Sequence, residues 1–364
     1  MRVLGIGKFY PPEYHGGLES VVVVLNAELV RRGINVTYVV SRVRGPTRVD
    51  DVGGVRVVRA ASFGTLLSQP LSPALLGAVR REPGDVLHLH HPNPLGDLAA
   101  LADGRPLVVT QHSDVVRQRA LRAAYGPVVR RALARARLVA IGSTQLLASS
   151  HEMKGFEAKA RVIPFGIDPA RFAATPAVTA RAAVLRSAWG GEPVVLAVGR
   201  LVGYKGFDVL IRAMAGLEAT LVLVGTGPEE ARLRALAGPH VVFAGRVSDE
   251  DLVAWYHAAD VCCLPSLTIA EAFGIVLLEA MACGKPLVTT ALPTGVTAVN
   301  RDGVTGLTVP PGDAGALREA IAALLCSPSR RGDLGAAGRR VLEREYTASL
   351  MGERYEALYR EALA

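Results

Sequence analysis

Short apolar runs recur along the chain, each followed by a longer stretch whose apolar positions repeat at helical spacing. Residues 3–6 form the first run; a Gly/Pro-rich turn follows, then a helical pattern through Leu25, Leu29 and Val30 that Gly33 closes, and then a second run over 36–40. Strand, helix, strand is the unit that builds a parallel sheet. The alternation continues with runs at 86–89, 107–110 and 138–141. It lapses between 164 and 193, where prolines stand at 164, 169, 176 and 193, and restarts at 194–199. Runs at 221–225, 241–244, 261–264 and 287–290 repeat the scheme. The pattern predicts an α/β protein with two doubly wound parallel sheets in tandem. Ligands of such sheets sit beyond the carboxyl ends of the strands, so the loops just after each strand, facing a central cleft, are where chemistry is expected.

A length of 364 residues is more than twice the usual single domain and agrees with two. With 50% hydrophobic and 20% charged residues, neither a disordered tail nor a repetitive fibre fits. Apolar runs such as 21–25 break far short of the roughly 18–20 residues that span a bilayer. The opening residues, 1–8, are interrupted too soon for a signal-peptide core, so a cytoplasmic protein is expected. Cys262, Cys263, Cys283 and Cys326 contain no Cys-x-x-Cys, which indicates neither a disulfide framework nor a zinc knuckle. The net charge of +8 is uneven: residues 1–165 hold 22 Lys+Arg against 12 Asp+Glu, and the remainder 19 against 21. The basic front half suits a polyanion or an anionic membrane surface.

Three segments after predicted strands carry candidate chemistry. Gly16-Gly17-Leu18-Glu19 lies between the first strand and the first helix. Adjacent glycines let backbone amides approach an anion at a helix start; a loop that merely needs positive φ is the alternative. Arg200 and Lys205, in Gly199-Arg200-Leu201-Val202-Gly203-Tyr204-Lys205-Gly206, offer a planar fork and a point charge for phosphate oxygens, with surface ion pairing as the plainer reading. The third runs from Ser266 to Gly284, with Glu271 in a loop, a helix expected over 273–281 and Glu279 inside it. Continuous helix would separate the two acids by about 12 Å, too far for a paired-carboxylate hydrolase and suited to the two sugars of a nucleotide-sugar. Gly274 and the free amides of Ile275 and Val276 between them provide an anion site.

Other motifs are weaker. Gly5-x-Gly7 and Gly225-Thr226-Gly227-Pro228 lack the third glycine of a dinucleotide fingerprint, which disfavours NAD. His88, His90 and His91 invite a metal reading, but strand alternation puts His91 on the opposite face, leaving acceptor-side lining or plain packing. Asp249-x-Asp251 reads as the acidic first turn of a helix capped by Ser248. Arg117, Arg119, Arg122, Arg130, Arg131, Arg135 and Arg137, interleaved with apolar residues, suit an amphipathic surface for anionic lipid or a phosphate-bearing acceptor, or a solvated helix face.

These motifs together resemble the large family four of retaining glycosyltransferases with the GT-B fold, over nearly the whole chain. The resemblance rests on the Gly16-Gly17 loop, Gly199-Arg200 with Tyr204-Lys205-Gly206, Gly225-Thr226-Gly227-Pro228, Gly245-Arg246-Val247-Ser248, Glu271-x7-Glu279 and Asp302-Gly303-Val304-Thr305-Gly306. It implies two Rossmann-like domains: an acceptor-side domain over 1–168, a nucleotide-sugar domain over 169–345, and a helix over 346–364 returning to the first. It implies that Arg200 and Lys205 bind the donor diphosphate, Glu271 the transferred sugar, Gly274 to Val276 the phosphates through backbone, and Glu279 the ribose. Val247 matches the position whose backbone reads the base, and His112, in Thr110-Gln111-His112-Ser113, the histidine placed against the donor sugar.

The expectation is a retaining hexosyltransferase that needs no metal and no cofactor, its donor a UDP- or GDP-sugar and its acceptor a saccharide or lipid-linked. It would be cytoplasmic, peripheral at the inner face of the membrane, with closure of the domains about 164–193. A non-catalytic binder of nucleic acid or anionic surfaces is the rival. Both glutamates and both basic residues count against it, and no aromatic stacking series supports nucleic acid.

Overall fold

The computed structural model describes residues 1–13, 16–66, 69–114, 119–188 and 190–364, without the side chains of 119–124. Two compact units divide the chain: residues 1–166 together with 348–364, and residues 167–347.

The first unit runs β1 (Arg2–Ile6), α1 (Gly17–Arg31), β2 (Asn35–Ser41), β3 (Arg48–Val52), β4 (Val55–Ala60), β5 (Thr65–Leu66), β6 (Gln69–Pro70), α2 (Ala74–Arg81), β7 (Val86–His91), α3 (Pro94–Leu101), β8 (Leu107–Gln111), α4 (Arg119–Arg135), β9 (Leu138–Ile141), α5 (Thr144–Ser149) and β10 (Ala160–Val162). The second runs α6 (Pro176–Ser187), β11 (Val194–Val198), α7 (Phe207–Ala213), β12 (Thr220–Val224), α8 (Glu230–Leu236), β13 (Val241–Gly245), α9 (Asp249–Ala258), β14 (Val261–Leu264), α10 (Ile275–Ala282), β15 (Leu287–Thr290), α11 (Gly295–Val299), β16 (Gly306–Val309), α12 (Ala314–Leu325) and α13 (Pro328–Glu345). A last helix, α14 (Ala348–Leu363), rejoins the first unit.

The first sheet has the order β10-β9-β8-β7-β1-β2-β4-β3, parallel except for the antiparallel β3–β4 pair at its edge. The second has the order β13-β12-β11-β14-β15-β16 and is parallel throughout. Its strand order, renumbered, is 3-2-1-4-5-6, the Rossmann arrangement, and it reverses between β11 and β14. Helices cover both faces, so the central strands are buried along their length: Val195, Leu196, Leu221, Val222 and Val261 are all core. A doubly wound sheet opens its binding crevice beyond the carboxyl ends at the reversal, which places the loops after β11 and β14 side by side.

Several helix starts follow strands directly and carry a side-chain cap. Asn93 accepts from the Gly96 amide, Ser143 from Leu146 and Ser248 from Asp251. Helix α14 packs against α1, and a Cβ on Gly352 would come within 2.2 Å of Glu28 Cγ, so a glycine permits the approach. Met351, Tyr355, Leu358 and Tyr359 of α14 are buried in the first unit.

Candidate functional site

In the second unit, β11 delivers the loop beginning at Gly199, and a short 3₁₀ turn, Gly203–Lys205, leads into Gly206 at φ +68°. A Cβ at Gly206 would lie 2.2 Å from the Pro265 carbonyl, in the loop after β14. Only glycine accommodates both the left-handed backbone and that approach. The Leu267 amide donates to the Tyr204 carbonyl at 2.7 Å, tying the two loops together.

That junction brings two of the expected residues into direct contact. Lys205 Nζ stands 2.5 Å from Glu271 Oε2, with both side chains about nine-tenths buried. Ser266 Oγ donates to the same carboxylate oxygen at 3.0 Å, and Thr290 Oγ1 donates to the Ser266 carbonyl at 2.5 Å. Burial works against charge on Lys205, but the Glu271 carboxylate overcomes it and holds the ammonium above the usual lysine range. The result is a charged pair in a nearly dry recess, where an anion would meet a fixed cation.

Helix α10 starts at Ile275, two residues later than the sequence pattern suggests, because Gly274 takes φ +81° and cannot be helical. The eight residues from Glu271 to Glu279 are therefore part loop and part helix, and the 12 Å of a continuous helix does not apply. The first amides of α10, at Ile275 and Val276, have no intrahelical carbonyl to bond. Glu279 lies in the second turn, where Tyr256 Oη of α9 donates to its Oε2 at 2.6 Å. Burial pushes the Glu279 carboxyl up, and the Tyr256 hydroxyl and the charge of Arg171 pull against that. Arg200 is exposed, one residue past Gly199, and Val247 is partly exposed after β13, at the sheet edge. Lys205, Glu271 and the α10 start thus cluster at the strand-order reversal, while Val247 stands two strands beyond β11.

In the first unit, Gly16 caps α1 with an extended backbone, φ −157°, which any residue adopts. Neither Gly16 nor Gly17 has positive φ, and a Cβ on Gly17 would meet nothing within 4 Å. The protein's own packing therefore does not demand a glycine at 17. Tyr14 and His15, just before it, lie outside the described residues.

His112 follows β8 and is buried. Its amide donates to the His91 carbonyl at 3.1 Å, its Nε2 is 2.9 Å from His90 Nδ1, and its ring packs on Phe165 at 5.2 Å between centroids. Burial, with a smaller contribution from His91, drives its pKa down to about 3, so the imidazole is neutral at pH 7. On the same face, His88 is held by Tyr359 Oη at Nδ1 (2.8 Å) and by Thr110 Oγ1 at Nε2 (2.7 Å), and Thr110 in turn meets Tyr355 Oη at 2.8 Å. His91 points to the other face, 3.2 Å from Asp97 and 3.3 Å from Glu152. Among the described residues no group of three His, Cys, Asp or Glu is placed to hold a metal ion.

Both units find counterparts in one family. Residues 186–341 match the family described as Glycosyl transferases group 1, and residues 15–171 match Glycosyltransferase Family 4. The O-antigen chain mannosyltransferase C of Escherichia coli is 33% identical over 99% of this chain and 98% of its own length. The chain belongs to the GT-B family 4 glycosyltransferases. D-rhamnosyltransferase WbpZ of Pseudomonas aeruginosa is 35% identical over 92% of this chain and 89% of its own. Among solved structures, sucrose-phosphate synthase from Thermosynechococcus elongatus is similar with a TM-score of 0.82 at 25% identity, covering 99% of this chain and 98% of that one.

For this glycosyltransferase the fold adds residues that the sequence motifs do not single out. Ser266 opens the third motif but gives no sign that it bonds Glu271; the signal available is a polar residue two positions after a strand. Tyr256, the partner of Glu279, sits in another helix and carries no local signal. The arginine series divides. Arg117 and the side chains of Arg119 and Arg122 lie outside the described residues. Arg135 donates to the carbonyls of Asp103 and Arg105, Arg137 to that of Ala362, and Arg130 covers the Phe156 ring at 5.2 Å. Arg135 and Arg137 thus each hold backbone in place, Arg135 half-buried and Arg137 exposed. No helix among the described residues is long and apolar enough to cross a membrane.

Proposed function

We propose that this glycosyltransferase moves a hexose of the mannose or rhamnose type from a nucleotide diphosphate sugar, with retention at the anomeric carbon and without a metal ion. The observation that carries the reading is the Lys205–Glu271 pair at the strand-order reversal, beside the open amides of α10. As the bond from the anomeric carbon to the β-phosphate oxygen breaks, negative charge grows on the diphosphate. Lys205, the nearby exposed Arg200 and the amides of Ile275 and Val276 are the groups that offset it. Cationic side chains and amides take the part a divalent ion plays elsewhere.

Glu271 holds hydroxyls of the transferred sugar, His112 lies against the same sugar, and Glu279, held by Tyr256, takes the ribose. The acceptor oxygen forms its bond on the face the phosphate leaves, and its proton passes to the departing phosphate oxygen. Gly16 and Gly17 leave their amides uncovered by side chain, which suits a close phosphate. The relatives' names, a mannosyltransferase of O-antigen chains and a D-rhamnosyltransferase, support the sugar and a lipid-linked or saccharide acceptor in cell-surface polysaccharide or glycolipid assembly.

Work at an anionic membrane surface, from the cytoplasmic side, is part of this reading. Phe63, Leu66 and Leu71 stand exposed around the small β5–β6 ribbon, and the backbone bridge between Gly45 and Ser62 carries exposed Arg44 alongside. Nucleic acid is no partner in this reading.

The test is incubation with GDP-mannose, GDP-rhamnose and UDP-glucose and a lipid-linked saccharide acceptor, with product anomers read by NMR. An α-configured donor giving an α-linked product, undiminished by EDTA, is expected. An inverted product, or activity abolished by EDTA and restored by manganese, would overturn it.

A further inference from the structure

Among the buried histidines of the first unit, His90 leaves one ring nitrogen without a hydrogen-bond partner, and that atom decides how protons are arranged between His90 and His112. His90 and His112 face the same way from β7 and the end of β8, in a register that pairs His90 with Thr110. His90 Nδ1 and His112 Nε2 are 2.9 Å apart, so one proton lies between them. The other nitrogen of His90, Nε2, is buried with no hydrogen-bond partner. Burial drives both imidazoles to the neutral form, so each carries one N–H only.

Two arrangements are then open. If His112 donates from Nε2, the proton of His90 must sit on its own Nε2, and a buried N–H is left without an acceptor. If His90 donates from Nδ1, only a lone pair on its Nε2 is unmatched. Orphaned buried donors are rarer than under-used acceptors, so the second arrangement is favoured.

We propose that His90 is a positioning residue that fixes the tautomer of His112, holding its proton on Nδ1 so that Nδ1–H is the group His112 offers to substrate. His112 Nε2 is the nitrogen that meets His90, which leaves Nδ1 to carry the proton in this arrangement. The His90 ring is itself held in place. It packs against His88 at a tilt of 44°, with centroids 4.2 Å apart, and His88 is clamped at both nitrogens by Tyr359 and, through Thr110, by Tyr355. The last helix of the chain thereby sets the ring that sets the catalytic candidate.

The functional half of this inference rests on the assignment of His112 to the sugar site; the tautomer itself does not, and the experiment separates them. Long-range ¹H–¹⁵N correlation on ¹⁵N-histidine-labelled full chain, with His112 assigned by loss of its signals in His112→Gln, reads the tautomer directly. Wild type is expected to show His112 protonated on Nδ1. In His90→Asn the side-chain amide can still donate to Nε2, so the Nδ1–H form and transfer within about 3-fold of wild type are expected. In His90→Asp, equal in size, the carboxylate accepts instead and draws the proton to Nε2. Turnover should then fall at least about 10-fold with little change in donor KM, as a wrong tautomer does in other histidine enzymes. An Nε2-protonated His112 in wild type overturns the proposal. Equal turnover in the Asn and Asp variants, with the tautomers differing as stated, overturns its link to catalysis and leaves the proton arrangement standing.

Discussion

Removing either member of the Lys205–Glu271 pair strands the other in a recess where its charge has lost its partner, whereas removing both strands neither. Each side chain keeps about a tenth of its surface, at 11% and 10%. Breaking a fully buried pair costs about 3–5 kcal/mol, and this residual exposure places Lys205→Ala and Glu271→Ala at the lower end, about 3 kcal/mol each. In a unit of residues 167–347, about 2–4 °C of melting temperature accompanies each kcal/mol, so each variant should melt about 6–12 °C early while still folding. The double alanine variant should cost only about 1 kcal/mol, because the Leu267–Tyr204 backbone bond still ties the loops.

Differential scanning calorimetry and urea titration of the four proteins close this cycle without any substrate. The sign of the pH dependence is fixed as well. The Lys205 pKa is raised on folding, so the pair's contribution is complete below the ordinary lysine value of about 10.4 and fades as pH climbs through the higher folded value. Coupling should be constant from pH 7 to 9. Single variants melting within 1 °C of wild type, or a double variant showing the sum of the singles, would refute the reasoning. Both singles should also lose transfer by about 10²-fold or more, as loss of one preorganised charge at a developing oxyanion does.

Gly206→Ala forces a left-handed backbone onto alanine and a Cβ against the Pro265 carbonyl, so a loss above about 2 kcal/mol in urea titration and reduced transfer are expected. Tyr256→Phe removes the hydroxyl that pulls the Glu279 carboxyl down; its pKa should rise further, shifting the acid limb of donor binding by isothermal titration to higher pH. For His91, burial favours the neutral ring, but Asp97 and then Glu152 outweigh it and raise the pKa to about 9. Its stabilising effect is complete below about pH 6.5 and lost as pH rises through 9. The stability difference between wild type and His91→Gln should therefore shrink by about 3 kcal/mol from pH 6 to 10. Deleting residues 348–364 removes the buried Met351, Tyr355, Leu358 and Tyr359 from the first unit's core, a loss of about 1.5–3 kcal/mol each, as much as a whole domain's stability, so the product should be insoluble on expression.

The central strands are legible in the sequence because helices bury both of their faces, which leaves continuous apolar runs such as 194–198 and 221–224. The β3–β4 ribbon is not, since Arg48–Val52 is largely exposed and polar; its only local mark is Gly53-Gly54, both at positive φ in the reversal. Lys205 and Glu271 each stand out by type and by following a strand, but their contact spans 66 positions of sequence. It exists because β14 docks beside β11, which local periodicity does not encode. The arginine series misleads in the opposite way. Spacing suggests one basic face, yet Arg135 and Arg137 bond carbonyls that only the folded chain presents.

The first unit is assembled from two pieces of sequence separated by the whole of the second, and this gives synthesis a timetable. At about 5–20 residues per second, the stretch 167–347 keeps β7 and β8 waiting roughly 10–35 s for the helix that seals them. During that interval the second unit, being continuous, can complete its own core, while in the first His88 and Thr110 lack the Tyr359 and Tyr355 hydroxyls that bond them in the finished fold. The nascent first unit is accordingly the portion left incomplete the longer, and slow codons late in the message would lengthen that interval.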